Sequence, residues 1–227
     1  MDLIIVAAGK GLRFGGDMPK QFLELAGKPV LAHTIDAFQI HPKIGRIIVV
    51  GPEDWLFYIA DEIVDKYKFD KVNHIVSGGQ ERQDSVLAGL NALGSQTGPV
   101  LIHDGARPLV TAPLIDRVIA ALDDAPSVVP AVAVTDTVKV VEGDFVSKSL
   151  QRDKLRAVQT PQGFHVENLR TLLLQAQMEK RTVTDEAMLM EENDIAVALV
   201  DGQSSNLKIT SAFDLKIAEL ILKERDL

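Results

Sequence analysis

Between Gly9 and Lys20 the chain runs GKGLRFGGDMPK, a glycine-rich segment that carries Lys10, Arg13 and Lys20. It follows directly on the apolar run Leu3–Ala8. A buried strand, then permissive glycines, then cations is how a fold offers backbone N–H groups and fixed positive charge to phosphate. Two familiar phosphate fingerprints do not fit. A Walker loop would place Lys-Ser/Thr after the second glycine, and Gly15 is followed by Gly16-Asp17. The dinucleotide fingerprint needs a third glycine where this chain has Phe14. Taken singly, each cation would also suit a solvated surface loop. Three of them on one strand-ending glycine loop favour phosphate binding.

Further polar clusters follow apolar runs. Ser77-Gly78-Gly79-Gln80-Glu81-Arg82-Gln83-Asp84-Ser85 places glycines and then polar groups at a helix start. An ordinary glycine turn with capping residues would give the same segment. His103-Asp104-Gly105-Ala106-Arg107-Pro108 puts a carboxylate directly off a strand end, where it suits a divalent metal or a ribose hydroxyl. An Asp–Arg ion pair bracing the turn is the plainer alternative. Thr137 and Arg152 flank a hairpin, and Gln159–Phe164, Thr184-Asp185-Glu186 and Lys208 fall in loops. Asp185-Glu186 reads either as a carboxylate pair or as a helix N-terminus favoured by the dipole. His33, His41, His74, His103 and His165 lack metal-ligand spacing and read as structural or surface residues.

The elements that must position these groups alternate. Strand patterns occur at Leu3–Ala7, Ile47–Val50, Asn73–Val76, Val100–Ile102, Val128–Val134 and Ile195–Val200. Helical spacing links Leu31, Ile35 and Phe38; Leu56, Ile59, Ile63 and Tyr67; Val86 to Leu93; and Leu114 to Leu122. It returns at Val166, Leu169, Leu172 and Leu173, and at Phe213, Ile217, Leu220 and Ile221. Apolar strands separated by amphipathic helices predict an α/β domain, a mostly parallel sheet covered on both faces. Its ligands would sit at the carboxyl ends of the strands. Val138–Val141 and Phe145–Ser147, around Glu142-Gly143-Asp144, predict instead an inserted β-hairpin arm at residues 135–155. Too small for a core of its own, the arm must lie on the domain or reach a partner chain. The expectation is one domain over residues 1–227.

Composition narrows the function classes. The 227 residues include no cysteine, which excludes disulfides and cysteine nucleophiles and suits a reducing compartment. A formal charge of −8 argues against nucleic acid as a partner. No apolar stretch approaches membrane-spanning length and no basic segment precedes Leu3, so a cytoplasmic protein without membrane association is expected.

VAAGKGLRFGGDMPKQFLELAGKPVLAHTI, GGQERQDSV, HDGARP, DTVKVV, AVQTPQGF, TDEA and SNLKIT, in that order, resemble the motifs of 2-C-methyl-D-erythritol 4-phosphate cytidylyltransferases. The resemblance covers almost the whole chain. It implies a Rossmann-like, three-layer α/β/α fold and an arm exchanged between the subunits of a homodimer. It implies CMP transfer from CTP to the 4-phosphate of methylerythritol, releasing pyrophosphate, with Mg²⁺ bridging triphosphate oxygens. By position, Ala7, Ala8, Gly9, Gly79, Gln80, Ser85, Asp104 and Gly105 would hold CTP, with Asp104 contacting ribose or Mg²⁺. Arg13 and Lys20 would be transition-state cations. Arg107, Thr137, Arg152, Thr160, Thr184 and Lys208 would hold the sugar phosphate, and Arg152 and Lys208 would position it for attack. Gln80 and Ser205 depart from residues that are commonly acidic in the family. Ribitol- or glycerol-phosphate cytidylyl transfer is the nearest alternative on the same scaffold. A nicotinamide-dependent oxidoreductase is disfavoured by Phe14, and a non-catalytic nucleotide sensor by the presence of both Arg13 and Lys20.

Overall fold

The computed structural model describes residues 1–9 and 18–225. Lys10 and Arg13 therefore lie outside the described residues. Strand β1 (Asp2–Val6) is followed by a two-stranded hairpin, β2 (Glu24–Leu25) and β3 (Lys28–Pro29), and helix α1 (Val30–Gln39). Strand β4 (Arg46–Gly51) leads into a helical stretch: a 3-10 turn Glu53–Trp55, α2 (Leu56–Tyr58) and a π segment Ile59–Asp65. There follow β5 (Val72–Ser77), α3 (Arg82–Ala92), β6 (Pro99–Asp104), α4 (Ala112–Ala121) and β7 (Ser127–Ala133). The chain continues through β8 (Lys139–Glu142), β9 (Phe145–Ser149), β10 (Arg156–Val158), β11 (Gln162–His165) and α5 (Val166–Met178). It closes with α6 (Glu186–Glu192), β12 (Val197–Asp201) and α7 (Ala212–Arg225).

The described residues form an eight-stranded sheet ordered β10-β7-β11-β6-β1-β4-β5, with β12 on β7 as well. Pairings β1–β4, β1–β6, β4–β5 and β7–β12 are parallel. Only β10 and β11 run against their neighbours. The period-two alternation of strand side chains distributes the core to both faces. On one face Leu3, Ile5, Ile47, Val49 and Leu101 pack with α1, the π segment and α4. On the other, Ile4, Ile48, Val50, Val100 and Ile102 pack with α3, α5 and α6. This is the three-layer α/β arrangement expected from the alternating pattern. Because the parallel strands point one way, the loops after β1, β5, β6, β7 and β12 all emerge at one edge.

Three elements differ from the sequence reading. Gln159–Phe164 is not all loop, since β11 is inserted antiparallel between β6 and β7. The helix expected through Leu56, Ile59, Ile63 and Tyr67 forms, but its middle, Ile59–Asp65, is a π segment and a 3-10 turn, Glu53–Trp55, precedes it. In α7 the expected apolar positions Phe213 and Leu220 are exposed. The expected Ile221 does face inward, and Leu215, Ala218 and Leu222 join it, towards Leu25, Val30, Leu109 and Ile209. That contact is a small satellite core, narrow enough for one side of the helix. The arm β8–β9 stands as its own two-stranded sheet, with Val141, Phe145 and Val146 exposed.

Candidate active site

Along the carboxyl edge lies a cleft of about 740 Å³. Among the described residues its walls include Ala7, Ala8, Gly9, Lys20, Gly79, Gln80, Ser85, Asp104 and Lys208. A smaller chamber of about 220 Å³ adjoins it, lined by Arg107, Gln159, Thr160, Gln162, Thr184 and Asp185 among others. Arg82, Asp104 and Lys208 line both. The site is thus two chambers that share a charged wall.

The larger chamber is built from backbone. The Ala7 N–H donates to Val50 O at 2.7 Å, and Gly78 N–H donates to Gly51 O at 2.9 Å. These bonds lock the loops after β1 and β5 to β4, side by side. A side chain at Gly78 would put its Cβ 2.3 Å from Ala8 Cβ and 2.6 Å from Ser85 Oγ, so only glycine allows that approach. The Ser85 hydroxyl accepts from Gly79 N–H and donates to Glu81 O. Glu81 and Asp84 form a reciprocal capping box that starts α3. Gln21 is buried, and its Nε2 donates to Ala7 O at 2.6 Å and Gly9 O at 3.1 Å. It holds the end of β1 against the 3-10 turn Lys20–Phe22 and so sets where Lys20 stands.

The shared wall is ionic. Asp104 Oδ1 faces Arg82 Nε at 3.3 Å, and Oδ2 faces Arg107 Nε at 3.3 Å and Lys208 Nζ at 2.9 Å. Burial would raise the Asp104 carboxyl, but Arg82, Lys208 and Arg107 outweigh it and hold it well below the usual carboxylate range. A carboxylate met by three cations is a poor ligand for Mg²⁺. No group of three or more His, Cys, Asp or Glu side chains among the described residues could hold a metal. Asp104, expected to contact ribose or Mg²⁺, is therefore engaged here by three cations, and a metal at this wall would have it as a single carboxylate. The Asp–Arg pair weighed as the plainer alternative is present, within a larger network.

Behind Asp104, His103 is fully buried and burial lowers its pKa to about 3. The neutral ring places Nε2 3.1 Å from Arg107 O, so Nε2 carries the proton and Nδ1 accepts from the Thr160 hydroxyl. Thr160 Oγ1 in turn accepts from the Asp104 N–H at 3.1 Å. The Thr160 hydroxyl, expected at the sugar phosphate, makes these two bonds inside the protein, while the residue lines the smaller chamber. Asn206 Nδ2 donates to Thr160 O at 2.8 Å, and Arg107 Nη1 donates to Asn206 O at 2.8 Å. These bonds fasten the Lys208 loop to the chamber floor.

Thr184 lines the smaller chamber. Asp185 Oδ1 accepts from Met188 N–H as the N-cap of α6, and Oδ2 accepts from Gln162 Nε2. Asp185 and Glu186 are thus a cap and a buried acid, not a catalytic pair. Gly105 lines neither chamber; its N–H donates to Val6 O at 2.9 Å. Thr137 and Arg152 also line neither chamber of this chain. Both are exposed at the arm, where Arg152 Nη1 donates to Thr135 O at 2.8 Å. The sequence does not single out Arg82 or Gln21, and it marks Glu186 only as half of the Asp185-Glu186 pair. Arg82 was visible in GGQERQDSV, but nothing there distinguishes it from a solvated first-turn cation.

The family model for 2-C-methyl-D-erythritol 4-phosphate cytidylyltransferase (IspD) matches residues 1–224. The chain belongs to that cytidylyltransferase family. The family enzyme of Clostridium acetobutylicum is 44% identical over 99% of this chain and 98% of its own length. That of Synechococcus elongatus is 45% identical over 99% and 97%. Among solved structures, the 4-diphosphocytidyl-2C-methyl-D-erythritol synthase of Anaerococcus prevotii superposes with a TM-score of 0.84 at 34% identity, covering 98% of this chain and 97% of its own. The cytidylyltransferase of Thermus thermophilus gives 0.78 at 30% identity over 98% of both chains.

Proposed function

We infer that this chain transfers CMP from CTP to 2-C-methyl-D-erythritol 4-phosphate, giving 4-diphosphocytidyl-2-C-methyl-D-erythritol and pyrophosphate. The observation that carries the chemistry is the pair of chambers meeting at Arg82, Asp104 and Lys208. One fits a nucleoside triphosphate against backbone and glycine. The other fits a small polar acceptor. The reaction needs the two phosphates to meet where the chambers join.

A phosphate monoester has its second pKa near ~6, so the acceptor oxygen is already largely charged at neutral pH. No base has to remove a proton. His103 is buried and neutral beside the site, and its two bonds orient the wall. The difficulty is bringing two polyanions together and stabilising charge on departing pyrophosphate, which is a matter of positioning and fixed cations. In this reading Ala7, Ala8, Gly9, Gly79, Gln80 and Ser85 seat the cytidine. Lys20, with Arg13 from the loop outside the described residues, neutralises the triphosphate. Arg107, Thr184 and Lys208 face the acceptor. Mg²⁺ is proposed to arrive on the triphosphate, held by its oxygens and not by a carboxylate cage.

A homodimer is proposed through the arm, whose exposed Val141, Phe145 and Val146 would be covered by a second copy. Thr137 and Arg152 would then serve the partner's acceptor chamber. A cytoplasmic location is part of the same proposal. No helix among the described residues is long and apolar enough to cross a membrane.

The decisive experiment follows pyrophosphate release with CTP and each of methylerythritol 4-phosphate, ribitol 5-phosphate and glycerol 3-phosphate. Release with the first alone is expected. Faster release with ribitol 5-phosphate would replace the acceptor, and none with any acceptor would refute cytidylyl transfer.

A further inference from the structure

Arg82 begins α3 and lines both chambers. Its Nε donates to Asp104 Oδ1 at 3.3 Å and its Nη1 to Glu186 Oε2, while Nη2 makes no hydrogen bond among the described residues. The side chain is 22% exposed, so the guanidinium still faces the cleft. Glu186 differs, with its side chain 1% exposed and Oε1 buried without a partner. Burial pushes its carboxyl above the ordinary range, with Arg82 pulling the other way.

A buried ion pair gains little over well-packed apolar side chains, and an unsatisfied buried oxygen makes it worse. Stability alone therefore gives no reason to keep an acid here. Orientation does. Gln83, the next residue, fixes the approach to α6: its Nε2 donates to Arg181 O at 2.8 Å, and its Oε1 accepts from Val183 N–H at 2.9 Å. Two adjacent positions of α3 thus tie down the segment that carries Glu186. With Nε on Asp104 and Nη1 on Glu186, the guanidinium plane is set and Nη2 is the part left for a ligand.

Resting on the cytidylyl-transfer reading, we propose that Arg82 is a catalytic residue that binds the non-bridging oxygens of the transferred α-phosphate, with Glu186 as its positioning residue. The α-phosphate is the group that must be reached from both sides. It is bonded to the nucleoside in one chamber and attacked from the other. As the acceptor oxygen forms its P–O bond, the bond to pyrophosphate breaks and its electron pair leaves with pyrophosphate. Arg82 moves no proton; its planar fork supplies charge-assisted hydrogen bonds where negative charge gathers.

The test compares CMP with cytidine, since the difference between them is the phosphate. Calorimetric affinities for both, and kcat, are measured for the wild type and for Arg82→Gln, Arg82→Lys and Glu186→Gln. Arg82→Gln is expected to weaken CMP about 10-fold, the scale of one charge-assisted bond, while leaving cytidine within about twofold. Its kcat should fall about 10²–10³-fold. Arg82→Lys should recover part of both losses. Glu186→Gln should shift the CMP-to-cytidine ratio and kcat the same way, by up to about 10-fold. An unchanged ratio in Arg82→Gln overturns the α-phosphate contact. Should that variant not fold, an unchanged ratio in Arg82→Lys, which lacks the fork, does the same. A Glu186→Gln protein with a lower Tm but wild-type ratio and kcat would make Glu186 a brace and overturn its positioning role. Wild-type enzyme that releases no pyrophosphate would refute the transfer reading, while the CMP-to-cytidine ratio would still decide the Arg82 contact.

Discussion

Lys208 Nζ stands 2.9 Å from Asp104 Oδ2, so a cation that lines both chambers is held by a carboxylate at the boundary between them. Moving either residue disturbs both chambers. The same carboxylate also receives Arg82 and Arg107, which couples α3, the loop after β6 and the loop after β12 through one side chain.

Asp104→Asn should therefore cost stability as well as activity. Removing one partner of a buried ionic network is worth about 3–5 kcal/mol, because the remaining charges lose their compensation. The folded-state carboxyl lies below its unfolded value near ~3.9. Its contribution is fully present above about pH 4 and is lost as pH falls further. Urea unfolding from about pH 7 down to about 2.5 should show the variant less stable at neutral pH, with a flatter acid limb. Parallel acid limbs in the two proteins would remove Asp104 from the acid-labile core.

His103 sets a second and higher window. Burial lowers its pKa to about 3, against an unfolded value near ~6.5. Between these limits the unfolded chain binds the extra proton, so stability rises with pH across the window and is fully present above it. His103→Gln should flatten the stability change between about pH 4.5 and 7.5. His41, whose pKa burial also lowers, is common to both proteins, so the difference reports His103. An identical pH slope in the variant would mean that His103 does not titrate as its surroundings require.

Gly89→Ala sets two magnitudes against each other. Alanine in a helix interior gains about 1 kcal/mol over glycine by propensity. Here the added Cβ would lie 2.5 Å from Ile4 Cγ2 and 3.2 Å from Val50 Cγ2. Both side chains are fully buried in central strands and have nowhere to move. Overpacking of this kind costs about 1–3 kcal/mol. The net expectation is a lower urea midpoint at unchanged m-value, and a raised midpoint would show that α3 can lift off the sheet without penalty.

Much of this scaffold was legible because its strands are continuous apolar runs, as at Leu3–Val6 and Ile47–Val50, and its helices carry clear apolar stripes. The exceptions share a cause. In β11 Gly163 and the adjacent Pro161 mask a four-residue strand that exists because β6 and β7 flank it. A side chain at Gly163 would meet Leu122 Cδ1 at 2.6 Å, a constraint from the C-cap of α4 that no local pattern carries. Within the site, glycine loops and strand-end polar residues mark the chambers in the sequence. The ionic wall is marked only in part: Asp104 and Lys208 stand out, but with Arg82 and Glu186 they come from four separate segments, and only the assembled sheet edge brings them together.

Lys20 lines the larger chamber on a 3-10 turn whose second residue, Gln21, is anchored to the end of β1. In the proposed reaction a cation on so anchored a turn would act on the triphosphate with little reorganisation. Lys20→Ala should lower kcat about 10²–10³-fold while changing the affinity for CTP far less. Pre-steady-state pyrophosphate release at saturating CTP measures this directly. An unaltered burst rate would take Lys20 out of the chemistry.

Arg152 offers the sharpest test of the proposed homodimer. It sits at the foot of the arm, outside both chambers of its own chain, and Arg152→Ala should chiefly raise the acceptor KM. Mixing Arg152→Ala subunits with Lys208→Ala subunits separates the two possible geometries. If Arg152 reaches across, one site of each mixed dimer combines an intact Lys208 with an intact Arg152. Random pairing makes about half the dimers mixed, so activity should return to about a quarter of wild type. If each site uses its own arm, every site in the mixture lacks one of the two cations and activity stays at the level of the separate variants. Replacing exposed Phe145 with aspartate should abolish the recovery as well, with light scattering reporting the loss of the dimer.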